Sequence, residues 1–191
     1  MQGLKLTTTR WAARVASLGF VAACWVPFSI QAEPYGIGQP LTAEELAGWD
    51  ITVYPDGKNL PEGSATVMAG RKVFEMQCAV CHGAKGEGGI GDRLVGGAGT
   101  LATDSPIKTI GSYWPYATTL FDYTRRAMPL TAPQTLTNEE VYAVTGYMLY
   151  LNDLLPEDAT IDAETLVNVK MPNRDGFFLD PRPDVGTQNK K

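Results

Sequence analysis

The chain is poor in the residues that build metal and disulfide frameworks. Among 191 residues there is one histidine, His82, and there are three cysteines, Cys24, Cys78 and Cys81. A structural zinc site needs about four Cys, His or carboxylate ligands, and one cysteine pair with a lone histidine does not supply them. A disulfide framework needs several pairs spread along the chain. Basic charge is also scarce: 16 Lys+Arg against 21 Asp+Glu give a net charge of −5. That argues against nucleic acid as a partner, because phosphate binding needs a basic face. No internal repeat or long low-complexity run is present, and no apolar run reaches the roughly 20 residues that cross a bilayer.

The longest apolar run is Val15 to Ile30, broken by Pro27. Lys5, Arg10 and Arg14 lie before or at its edge, and no acid occurs in the first 32 residues. This is the pattern of an export signal, and Ile30-Gln31-Ala32 ends in a small residue suited to cleavage. The expectation is a signal peptide over 1–32 and a mature protein in the periplasm. Without that segment 13 basic side chains face 21 acidic ones, a charge of −8. A lipoprotein signal, with Val21-Ala22-Ala23 before a lipidated Cys24, and an uncleaved anchor are the alternatives. With the cut at Ala32 only Cys78 and Cys81 remain. They form a local disulfide, a metal half-site or a covalent cofactor attachment.

Residues 33–63 are rich in proline and glycine (EPYGIGQP, YPDGKNLPEG) and read as an irregular N-terminal arm, with one helical turn at LTAEELAGWD. The first regular helix is expected over Ser64 to Gln77, with Ser64 as its cap and Val67, Gly70 and Phe74 on one face. A glycine-dense loop follows His82. A second helix is expected over Tyr116 to Arg126, ending before Met128-Pro129. A third opens on Thr137-Asn138-Glu139-Glu140, a capping box, and carries an apolar stripe of Val141, Val144, Met148 and Leu151. Beyond Asn152 the chain turns polar and proline-rich. The organisation is then a helical domain over 64–153 and an extended tail over 154–191 with one helical turn. Gly70 and Phe74 are expected to pack on Val144 and Tyr147, glycine allowing close approach.

Chemistry concentrates in CAVCHG, Cys78 to Gly83. Cys-x-x-Cys-His is the attachment signature of c-type haem. Cysteines at i and i+3 lie on one side of a helical turn, where both sulfurs reach one porphyrin edge, and the histidine at i+4 projects under the ring. A redox dithiol would sit in a βαβ pattern, which is absent. One covalent haem c on Cys78 and Cys81 is therefore expected, with His82 on the iron. A single histidine excludes bis-histidine ligation. Among the methionines, Met68 and Met76 lie too near the cysteines, and Met148 reads as core filler. Met128, in a loop inside the domain, is the preferred sixth ligand; Met171 or an open site are the alternatives. Trp114, Tyr116 and Arg126 are candidates for haem propionates, against aromatic packing and a solvated arginine.

The succession of glycine–aromatic helix, Cys-x-x-Cys-His, Met-Pro loop and capped last helix resembles class I cytochromes c. This implies an all-α fold of three or more helices around one haem. A narrower likeness lies in GIGQPLTAEELAGWDITVYPDGKNLP, GSYWPYATTLFDYTRRAMPLTAPQTLTNEEVYAVTGYMLYLND and VKMPNRDGFF. These are similar to the haem subunits of bacterial sulfane and sulfite dehydrogenases. The resemblance implies electron transfer, with His82 and Met128 as axial ligands and a molybdenum-cofactor subunit as the partner and catalyst. A downstream acceptor, such as another cytochrome c, would take the electrons, and the arms would meet the molybdenum subunit. One attachment motif matches the one-haem forms. No proline lies between His82 and Leu94, which leaves open the carbonyl that accepts the histidine N–H. A free-standing carrier to a terminal oxidase, and a catalytic or ligand-binding haem with an open sixth site, are the other readings.

Overall fold

The computed structural model describes residues 38–178, 180 and 182. The expected signal peptide, with Cys24 and Ala32, and the end of the tail lie outside the described residues. The chain divides into two units, residues 1–43 and 44–191. In the first, residues 38–43 are exposed throughout. A short helix, α1 (Ala43–Ala47), buries no residue.

The second unit is mainly helical. A three-residue strand β1 (Ser64–Thr66) leads into α2 (Val67–Gln77), and the one-turn α3 (Ala79–His82) follows at once. Then come α4 (Ala117–Ala127), α5 (Asn138–Leu151), strand β2 (Thr160–Asp162) and α6 (Ala163–Asn168). The helix expected from Ser64 starts three residues later. Ser64–Thr66 instead pair antiparallel with β2, Ser64 opposite Asp162 and Thr66 opposite Thr160. Thr66 takes the capping role, its hydroxyl accepting the Ala69 N–H at 3.2 Å. The α5 box forms as its residues demand: Thr137 Oγ1 accepts the Glu140 N–H at 3.2 Å and Glu140 Oε2 accepts the Thr137 N–H at 2.8 Å.

Helix α5 is the centre of the core. Every residue from Val141 to Leu149 is buried, as a helix apolar on all sides must be. Its tightest neighbour is α2. A Cβ placed on Gly70 would lie 1.8 Å from the Ala143 carbonyl oxygen and 2.9 Å from Tyr147 Cβ, so only glycine lets these backbones meet. One turn on, the Phe74 and Tyr147 rings lie 5.5 Å apart at 58°. Further along α5, Gly146 faces Ile161 of β2 and Val67 of α2.

Within the second unit, residues 53–62 of the arm are laid against this core by backbone polar groups. Tyr142 donates to the Pro61 carbonyl at 2.8 Å, Asn138 to Glu62 O at 3.3 Å, and the buried Val53 donates its N–H to Asp122 Oδ1 at 2.8 Å. In the tail, the sequence placed a single helical turn, and α6 lies there. The structure adds β2 and a buried set of Ile161, Leu166, Val169 and Met171. Thr160-Ile161-Asp162 alternates polar and apolar over three residues only, too short a pattern to mark a strand.

Candidate functional site

Cys78 stands at the joint of α2 and α3. Its N–H closes α2 on Phe74 O, and its own carbonyl accepts both the Cys81 N–H at 3.1 Å and the His82 N–H at 3.0 Å. That single turn gathers the two sulfurs and the imidazole. Both cysteines are free and half-buried. Before any haem is attached, burial, with a smaller contribution from Cys81, pushes the Cys78 thiol up to about 11.

The loop after His82 then folds back under the ring. Gly83 and Gly86 turn the chain at φ of 83° and 72°. Gly88 N–H bonds His82 O at 2.7 Å, and Gly91 N–H bonds Cys81 O at 2.9 Å. A Cβ on Gly91 would come within 2.9 Å of His82 Cε1, so bare backbone lies against the imidazole. Asp92 O sits 2.7 Å from His82 Nδ1. A carbonyl can only accept, so Nδ1 carries the proton and Nε2 is left with its lone pair. This identifies the carbonyl that the sequence left open.

Met128 is the C-cap of α4, its N–H bonded to Thr124 O at 3.1 Å, and a cis peptide joins it to Pro129. Its side chain is half-buried. The other methionines have different surroundings: Met171 is 3% exposed and Met148 4%, both within the core, and Met76 is 69% exposed. Trp114 stands edge-on to Tyr123 at 5.6 Å, and Arg174 of the tail lies 4.2 Å over the Tyr116 ring. Arg126 pairs with Asp122, whose other oxygen holds Val53 N–H. The structure therefore brings Cys78, Cys81 and His82 together on one turn. It engages Trp114, Tyr116 and Arg126 with separate protein partners.

Sequence reasoning missed Asp122, Asp92 and Asn152. Asp122 had a signal, a carboxylate four residues before Arg126 on a helix. Asp92 acts through its backbone carbonyl, which no residue type announces.

The donor set fits haem and not a clustered metal ion. Two free thiols and an imidazole with a bare Nε2 share one turn, and the described residues hold no group of three or more His, Cys, Asp or Glu suited to a metal ion. A helical fold of this kind, with that turn between its first long helix and a glycine loop, defines a c-type cytochrome.

Comparison with known proteins agrees. Residues 67–152 match the family model of cytochrome c. One chain of the crystal structure of the sulfane dehydrogenase SoxCD from Paracoccus pantotrophus is similar at 42% identity and a TM-score of 0.74. The match covers 78% of this chain and 74% of that one. No curated protein sequence matches. The chain belongs to the cytochrome c family. Its cofactor is one haem c, covalently held by Cys78 and Cys81, and it is an electron-transfer cytochrome resembling the haem subunit of the Sox system.

Proposed function

We propose that this protein is a periplasmic mono-haem cytochrome that accepts electrons from a molybdenum-cofactor sulfane or sulfite dehydrogenase subunit and passes them to a further acceptor such as another cytochrome c. The observation that carries this reading is the Cys78–His82 turn, with Nε2 free, in a chain 42% identical to one in a sulfane dehydrogenase structure. The export-type N-terminus supports the location.

When bound, the haem supplies one-electron redox chemistry. Cys78 and Cys81 fix its edge to α3. His82 would supply the proximal ligand, and the Nδ1–H bond to Asp92 O would set its tautomer and ring plane and raise its basicity. Met128 would supply the sixth ligand; a thioether there would raise the potential and keep substrate off the iron. The partner does the oxidation. Residues 44–63 of the arm offer it Leu46 and Trp49, exposed by 50% and 82%.

Purification of the tagged chain from its native host tests the reading. The expected product is a complex that contains molybdenum and whose haem is reduced by sulfite or a sulfane donor. A lone monomer, reduced as well by a respiratory complex, would establish the free carrier instead. Rapid carbon monoxide binding to the reduced protein would establish an open sixth site.

A further inference from the structure

Asn152 makes more polar contacts with distant backbone than any other side chain near the site. It is the C-cap of α5. Its Nδ2 donates to Met148 O at 2.9 Å, a carbonyl orphaned by the helix end, and to Leu94 O at 3.2 Å. Its Oδ1 accepts the Gly96 N–H at 3.2 Å. One amide thus holds the 94–96 backbone by an acceptor and a donor together, which neither a carboxylate nor an aliphatic side chain can do. The amide is itself confined: a Cβ on Gly111 would lie 2.3 Å from Asn152 Oδ1.

The clamped segment closes the loop that carries Asp92. Leu94 and Val95 both donate to Gly86 O, at 2.8 and 3.1 Å, and Gly88 and Gly91 tie the other side of the loop to His82 O and Cys81 O. Asp92, two residues from Leu94, is the point at which this closed loop meets the imidazole.

We propose that Asn152 is a positioning residue for the His82 imidazole, acting from the end of α5 through the 83–96 loop. This rests on the reading of His82 as the proximal iron ligand. Without the clamp, the 92–96 backbone loosens, the Nδ1–H bond to Asp92 O lengthens, and the ring becomes a poorer donor. The oxidised state depends more on that donation, so the midpoint potential rises.

The test uses the holoprotein and two variants, Asn152→Ala and Asn152→Asp. The second keeps the volume and the acceptor for Gly96 and removes both donors, and it stands in if the first does not fold. Asn138→Ala is the control, since it removes a bond to Glu62 O at the other end of α5. Expected in both Asn152 variants are an upward midpoint shift and up to roughly tenfold faster exchange of the His82 Nδ1 proton, the factor that corresponds to a hydrogen bond weakened by about 1.4 kcal/mol. The control should lose stability only. A parent with normal haem, with midpoint and exchange unchanged in the variants, overturns this proposal alone. A parent without covalent haem overturns the functional reading and this proposal with it.

Discussion

Replacing Gly70 by alanine separates two physical effects of opposite sign. In an exposed helix interior, alanine is favoured over glycine by about 0.8–1.0 kcal/mol, so a purely local view expects stabilisation. At Gly70 the new methyl would sit 1.8 Å from the Ala143 carbonyl oxygen, where real contacts stay above 3.0 Å. The α2 and α5 backbones must therefore part by more than about 1 Å. Overpacking of this sort costs roughly 1–3 kcal/mol. The Phe74–Tyr147 pair, at 5.5 Å, would lose part of its roughly 0.5–1.5 kcal/mol. Subtracting the propensity gain leaves a net loss of about 1.5 kcal/mol, or a Tm lower by roughly 3–6 °C. Thermal and urea unfolding of the holoprotein and of Gly70→Ala measure it. An unchanged or raised Tm would refute the close approach of α2 and α5.

Asp122→Ala leaves the buried Val53 N–H without its acceptor and should cost about 1–3 kcal/mol. Protease cleavage near residues 51–54 should rise with it, since the partly exposed Arg126 pair adds little. Met171→Ala should lower stability by about 2–5 kcal/mol, as truncation of a core methionine does, and leave the low-spin spectrum intact; Met128→Ala should abolish that spectrum. The hydrogen bonds from Thr165 N–H and Oγ1 hold the Asp162 carboxyl below its usual range. Its capping of α6 is thus fully present above the unfolded-state pKa and lost only as pH falls through the lowered folded value. Asp162→Asn should flatten this acid-side change, read from the Thr165 amide shift.

The sequence alone determined much of what depends on local order along the chain, though not the start of α2, which Thr66 caps in place of Ser64. Cys78, Cys81 and His82 fall on one turn because their spacing is that of a helix. The Thr137–Glu140 box forms because both partners lie within four residues. Gly70 beside Phe74 was legible as a close-packing face because helical periodicity puts the two on one side. Tertiary structure alone decided what depends on chain segments far apart. The β1–β2 pair joins residues about a hundred positions apart with three residues a side. The acceptor for His82 is a backbone carbonyl, present at every residue and marked by none. Asn152 reads as an ordinary helix end until folding brings Leu94 and Gly96 to its amide. Local spacing is written in residue types, whereas hydrogen bonds to distant backbone are selected only once the core has set which segments lie side by side.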